Sequence, residues 1–184
     1  MLGIVPVKGL AGAKTRLAPL LSAEERARLV VEMLDGVLTA CREASAIDGT
    51  LLVTPDPALA RDGASLLIDA GTGHADAVAL ALSDPRAAAG ALVVMADCPL
   101  VTAESLDALA ASARPLALAR ARDGGVNALA LQEVDGFRPR FGIPAGTTVA
   151  EARAAGYDPV VLDDPRLALD VDLPEDYELL LASR

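Results

Sequence analysis

The chain has 184 residues, of which 53% are hydrophobic, enough to build one core without a disulfide or cofactor to hold it together. Its formal net charge of -10 excludes a partner that binds through a broad basic surface, so a nucleic-acid backbone is not expected. No apolar run approaches the roughly 20 residues that span a bilayer, and Lys8 lies inside the first apolar stretch rather than ahead of it, so neither membrane insertion nor export is expected.

Leu2 to Val7 reads as a short buried strand running into the small-residue loop Gly9-Leu10-Ala11-Gly12-Ala13. Lys8 and Lys14, which flank that loop, are the only lysines in the chain; the other positive residues are all arginine. Retaining the compact ammonium only here points to a requirement that a planar guanidinium does not meet. Small residues that bring backbone amides close, followed by Lys14 and Arg16, have the parts of a triphosphate-binding loop. The spacing is not that of a Walker A loop, so a switching ATPase or GTPase is not implied. Ser22-Ala23-Glu24-Glu25 is a capping box, and the apolar positions Leu29, Val30, Met33, Leu34, Val37, Leu38 and Cys41 continue it as one helix with a single buried face.

Further strands are expected at Leu51 to Thr54, Ser65 to Ile68, Ala91 to Ala96, Leu116 to Ala121 and Asn127 to Leu131, with helical segments between several of them. This alternation predicts a single α/β domain over residues 1–184, with a mixed, mostly parallel sheet covered by helices on both faces. Ligands of such sheets sit at the carboxyl ends of strands, near a reversal of strand order. Three polar features fall at expected strand ends: the loop after Val7, Asp97 in Ala96-Asp97-Cys98-Pro99-Leu100, and Asp170-Val171-Asp172. Carboxylates are what a hard cation such as magnesium needs beside substrate phosphates, and residues two apart in an extended segment share a face. A structural role is also open for each acid, Asp97 capping a helix near Thr102 and the later pair capping the last helix. Pro174, Glu175 and Asp176 predict the first turn of that helix. His74, the single histidine, follows Gly71-Thr72-Gly73 at an expected helix start and has no partners for a zinc site. Cys41 and Cys98 are expected as free buried thiols, in keeping with a reducing cytoplasm.

Taken in order, Pro6-Val7-Lys8, Ala13-Lys14-Thr15-Arg16-Leu17-Ala18-Pro19, Leu21-Ser22-Ala23-Glu24-Glu25-Arg26, Ala96-Asp97-Cys98-Pro99-Leu100 and Asp170-Val171-Asp172-Leu173-Pro174-Glu175-Asp176 resemble the 2-phospho-L-lactate or phosphoenolpyruvate guanylyltransferase family of deazaflavin coenzyme (coenzyme F-420) biosynthesis. The resemblance implies a Rossmann-like fold of the nucleotide-diphospho-sugar transferase type. GTP would be the donor, pyrophosphate the leaving group and a small phosphorylated acid the acceptor. Val5, Pro6, Val7, Lys8, Lys14 and Arg16 would then bind the nucleotide, with Lys14, Arg16 and Asp97 acting in catalysis. Asp97, Asp170 and Asp172 would hold Mg2+.

On the acceptor side the resemblance points to Asn127, Gly142, Thr147 and Thr148. There the chain departs from the family pattern: Val126 stands where a threonine is usual, Ala145 for a serine, Val149 for a histidine, and Gly73-His74-Ala75 for Gly-Leu-Asn. Thr147 and Thr148 are the hydroxyls available as replacements, and Arg138 and Arg140 a candidate anion fork. The expectation is a retained donor and metal half with a changed acceptor. The alternatives are another base or acceptor, and a non-catalytic nucleotide-binding paralogue. The partners implied are small molecules, and an acidic surface is compatible with a monomer or a homodimer.

Overall fold

Seven strands hydrogen-bond into one sheet in the order β3-β2-β1-β4-β6-β5-β7, in a computed structural model that describes residues 1–134 and 137–183. The strands are β1 (Leu2–Pro6), β2 (Gly49–Thr54), β3 (Ala64–Ile68), β4 (Ala91–Val94), β5 (Leu116–Arg120), β6 (Val126–Leu131) and β7 (Val160–Leu162). All neighbours pair in parallel except β6, which runs antiparallel to both β4 and β5. The mixed, mostly parallel sheet expected from the sequence is therefore present. Every residue of β1, β4 and β6 is buried. Because successive side chains in a strand point to opposite faces, both faces of the central sheet are covered.

The helices are α1 (Ala23–Glu43), α2 (His74–Ala81), α3 (Ala103–Ser112), α4 (Ala145–Ala154), α5 (Pro165–Ala168) and α6 (Pro174–Ala182). Helix α1 starts where the capping box places it: Ser22 Oγ accepts from the Glu25 amide and Glu25 Oε2 from the Ser22 amide. Its seven expected core positions are all buried. Helix α1 packs on β1, β2 and α3, while α2 lies against β1 and β2 and α5 against β5 and β6. Among the described residues no helix is long and apolar enough to cross a membrane.

Two expected caps resolve differently. Thr102, not Asp97, caps α3, accepting from the Ser105 amide. At α6 the capping carboxylate is Asp176, whose Oδ2 accepts from the amides of Asp172 and Leu173, with Pro174 in the first turn as expected. Asp97 and Asp172 therefore keep their carboxylates free of capping duty. Both cysteines are free and buried; burial pushes the Cys41 thiol up to about 12 and raises that of Cys98 as well.

The capping box gives a direct test of how α1 is held. Ser22→Ala removes the acceptor for the Glu25 amide and is expected to lower stability by about 1 kcal/mol in urea unfolding, with unchanged slope.

Candidate active site

Strand β1 lies between β2 and β4, so the chain order runs away from it in both directions, and the crevice opens at the carboxyl ends of β1 and β4. Val7 leaves β1 with its amide donating to Val53 O. The loop that follows is tied down at three points. The Leu10 amide donates to Asp56 Oδ2, Ala13 to Leu10 O, and Arg26 of α1 donates through Nε to Ala13 O. Gly12 has φ 69°, and Lys14, with φ 49°, is the one described non-glycine residue in the left-handed region. That conformation costs roughly 1–2 kcal/mol for a residue with a Cβ. The short 3-10 turn Thr15–Leu17 starts immediately after it.

The strained residue is fixed at its far end. Lys14 Nζ donates to Asp97 Oδ2 at 2.6 Å and to Asp172 Oδ1 at 2.7 Å. Its side chain is only 11% exposed. Burial alone would lower its pKa, but attraction to Asp97 and Asp172 outweighs this and holds the ammonium above its ordinary value. For Asp172, burial pulls the carboxyl up, yet Lys14, with Arg16 and Lys8 behind it, leaves it below its ordinary value. Arg16 is exposed, with Nη1 4.0 Å from Asp172 Oδ2.

Asp97 stands beyond β4, which ends at Val94 rather than at Ala96. Asp170 and Asp172 are not on a strand; the segment is anchored by the Val171 amide donating to Asp97 O at 3.2 Å. This backbone bond brings the C-terminal acids beside Asp97. Because β6 is antiparallel, its starting end meets the finishing end of β4, and the Met95 amide donates to Asn127 O. Buried Asn127 then gives its Nδ2 to Leu167 O, Ala168 O and Asp170 Oδ1. Despite that bond, Asp170 is pushed up to about 6 by burial, with Asp97 and Asp123 adding repulsion. Among the described residues it makes no ion pair comparable to those of Lys14.

The crevice has two arms. One is lined by the loop from Pro6 to Arg16, with His74, Asp97 and Asp172. The other is bounded by Asp123 to Asn127, Phe141 to Pro144, Asp170 and Asp172. Lys8, His74, Asp97 and Asp172 line both. Pro6, Val7, Lys8, Lys14, Arg16, Asp97, Asp170, Asp172, Asn127 and Gly142 thus share one continuous cleft, whereas Val5 lies wholly inside the core. Among the described residues no group of three His, Cys, Asp or Glu side chains is arranged to hold a metal ion; between Asp97 and Asp172 the cation present is Lys14.

Thr147 and Thr148 do not reach the cleft. Both lie on α4, Thr147 exposed and Thr148 fully buried with its hydroxyl unpartnered. Arg140 is engaged with Glu151, and Arg138 donates to Val134 O, so neither forms an anion fork there. Val126 and Gly125 do line the cleft, and the Ala145 amide is already used by Gly124 O. His74, which its sequence context left without a role, is at the junction of the arms; burial and Lys8 lower its pKa and favour the neutral ring.

A family model described as Guanylyl transferase CofC like matches residues 1–183. The chain belongs to this family. It is 41% identical to a phosphoenolpyruvate guanylyltransferase of Sphaerobacter thermophilus, over 97% of this chain and 91% of that one. It is 36% identical to a 3-phospho-D-glycerate guanylyltransferase of Phenylobacterium zucineum, over 94% of this chain and 86% of that one. The enzyme is accordingly a nucleotidyltransferase of the guanylyltransferase kind. In structure it is similar to a protein from Desulfovibrio desulfuricans G20 described as a nucleotide-diphospho-sugar transferase, with a TM-score of 0.79 at 17% identity over 99% of this chain and 86% of that one. A CMP:2-keto-3-deoxy-manno-octonic acid synthetase aligns with a TM-score of 0.67 at 13% identity, over 99% of this chain and 97% of that one. Those two likenesses establish the fold, which is of the nucleotide-diphospho-sugar transferase type.

Asn127 is the side chain that ties the C-terminal acids to the sheet. Asn127→Ala leaves two carbonyls and Asp170 without their donor in a water-poor site, and is expected to cost about 1–3 kcal/mol in urea unfolding. A loss below about 0.5 kcal/mol would show that other donors replace it.

Proposed function

We propose that this enzyme moves GMP from GTP onto a three-carbon phosphorylated acid, with phosphoenolpyruvate the first choice of acceptor and 3-phosphoglycerate the second. The observation that carries the proposal is the meeting, in one cleft, of the Lys8–Lys14–Arg16 loop with Asp97, Asp170 and Asp172. The acceptor preference is supported by the names of the relatives, which act on these two acids. A phosphate oxygen of the acceptor attacks the α-phosphorus of GTP. The bond from that phosphorus to the bridging oxygen breaks, pyrophosphate leaves with its electron pair, and a diphosphate-bridged guanosine remains. Such transfer rests on positioning and charge, and asks for no strong general base.

The chemistry of the donor set suits a magnesium ion, but its side chains as they stand are not gathered round one, and Lys14 lies between Asp97 and Asp172, so binding would require the ammonium to give way. Asp170 is a half-buried carboxylate with no ion pair among the described residues, and hard oxygen ligands are what that ion takes. Asp97, Asp170 and Asp172 would hold it, and when bound it would stabilise charge on the transferring and leaving oxygens. Lys14, bonded to Asp97 and Asp172, and Arg16 beside Asp172 would offer cations to the polyphosphate at this same rim, Lys8 extends them toward His74, and Asn127 orients Asp170. A product of this kind suits deazaflavin coenzyme biosynthesis, and the two free buried thiols fit work in a reducing cytoplasm.

Val126 and Ala145 bear on the acceptor side only. Where the family usually offers two hydroxyls, Val126 is apolar and the Ala145 amide already donates to Gly124 O, so this wall gives a substrate hydroxyl no new partner and suits phosphoenolpyruvate, which has none, better than 3-phosphoglycerate.

Pyrophosphate release with GTP and magnesium, measured against phosphoenolpyruvate, 3-phosphoglycerate and 2-phospholactate, decides between the acceptors. Release is expected with one of the first two, to stop on chelation, and to fall by about 10²–10³ in Asp97→Ala. Activity that survives both chelation and Asp97→Ala would rule out the proposed site. GTP binding with no release from any acceptor would leave a binding role instead.

A further inference from the structure

A slot opens off the phosphate loop on the side away from Asn127. Its walls are Pro6, Val7, Gly9 and Ala11 on one side and Pro55, Gly71, Gly73 and Ala77 on the other; Lys8 and His74 stand where it joins the main cleft. Nearly every lining residue is small or apolar. Among them is set a carboxylate, Asp69, which follows the end of β3 and makes no ion pair among the described residues.

Asp69 is held firmly. Its amide donates to Thr54 O, and its Oδ2 accepts from the Gly71 amide at 3.1 Å. Its other oxygen, Oδ1, is shielded from water and has no hydrogen-bond partner among the described residues. A carboxylate oxygen deprived of both water and a donor is an expensive arrangement, and one expected where a ligand supplies the donor. Apart from Asp69, the described side chains hold one other orphan of this kind, the hydroxyl of Thr148, which lines no part of the cleft.

We propose that Asp69 reads the base of the donor nucleotide, its carboxylate accepting from the N1–H and N2–H of guanine lying in the Pro6–Pro55–Gly73 slot. The proposal rests on the guanylyltransferase reading and deepens it by naming the residue that selects the base. An ionised carboxylate only accepts, and guanine alone among the common bases presents two adjacent ring-edge donors to match it. Adenine sets an acceptor, N1, against the same oxygen; uracil and cytosine offer at most one donor beside an acceptor. Oδ2 keeps a second lone pair beyond the one used by Gly71, so both oxygens can serve. Gly71 (φ 70°) and Gly73 (φ 136°) flank the turn through which the base enters, and their backbone freedom lets that turn shift to admit it. At Gly73 a side chain would meet no atom of the protein within 4 Å, so the space beside it is open for a ligand. The slot shares Pro6, Val7, Lys8 and His74 with the phosphate arm, so a base seated here places its triphosphate along Lys8, Lys14 and Arg16.

The test compares guanosine, inosine and xanthosine triphosphates on the full chain, by calorimetric binding and, where an acceptor is known, by kcat/KM. Inosine lacks the N2 amine, so the unaltered protein should bind it about tenfold more weakly than guanosine. Asp69→Asn turns one acceptor into a donor facing the C2 carbonyl of xanthine. It should lose about 10- to 100-fold for guanosine, gain for xanthosine until the preference inverts, and keep its kcat. Should Asp69→Asn not fold, Asp69→Ala, which removes both acceptors, is read in the same comparison and should abolish the difference between guanosine and inosine that the unaltered protein shows. Equal affinity for guanosine and inosine, or an Asp69→Asn variant that weakens all three nucleotides alike, would overturn the assignment while leaving the guanylyltransferase reading intact. Failure of the unaltered protein to bind any of the three would overturn both.

Discussion

A single ammonium joins three segments that lie far apart in the chain. Lys14 sits between Asp97, 83 residues on, and Asp172, 158 residues on, and it does so from a backbone conformation that a side chain disfavours. Without a cation at this point Asp97 and Asp172 would meet at the rim with only Lys8 and the exposed Arg16 near enough to offset their repulsion. Burying such a cluster is no net source of stability, because desolvation offsets much of the attraction. What it supplies is geometry: the loop after β1, the turn after β4 and the strap before α6 are held to one another by direct bonds before any substrate arrives. The strain at Lys14 is tolerable because it is concentrated in one residue whose far end is fixed twice.

The charges of the cleft are graded rather than uniform. Lys8, Lys14 and Arg16 crowd the arm lined by the loop after β1, Asp170 and Asp123 mark the other, and His74 stands between them with its pKa lowered by burial and Lys8. A net charge of -10 therefore coexists with a locally cationic loop, so positive charge is concentrated at one place instead of spread over the surface.

Much of this was legible in the sequence where local chemistry and tertiary packing agree. The capping box at Ser22 and the periodicity through Cys41 specify α1 within a residue or two, and the run before Lys8 specifies β1. Strand β7 escaped because Val160–Leu162 is three residues long at the sheet edge, too short for alternation to register. The segment 170–172 reads as strand-like but is held by a single backbone bond to Asp97 rather than by a ladder. The sequence does not tell which way Thr147 and Thr148 face, because α4, rich in Ala, Gly and Thr, has no apolar stripe to mark its buried side. Asp69 left no trace at all: it is one of 26 acidic residues, and only its lost water and missing donor set it apart.

The one reversed strand has a consequence for how such an enzyme can diversify. Because β6 returns antiparallel, the 121–125 hairpin delivers its residues to the same rim as β1 and β4 without belonging to the parallel half that carries the phosphate loop. Changes there or at Val126, the first residue of β6, need not disturb the register of β1 with β2 or β4. The sheet thus gives the cleft two separately built walls, one carried by its parallel half and one by the reversed hairpin, and the second can be altered without rebuilding the first.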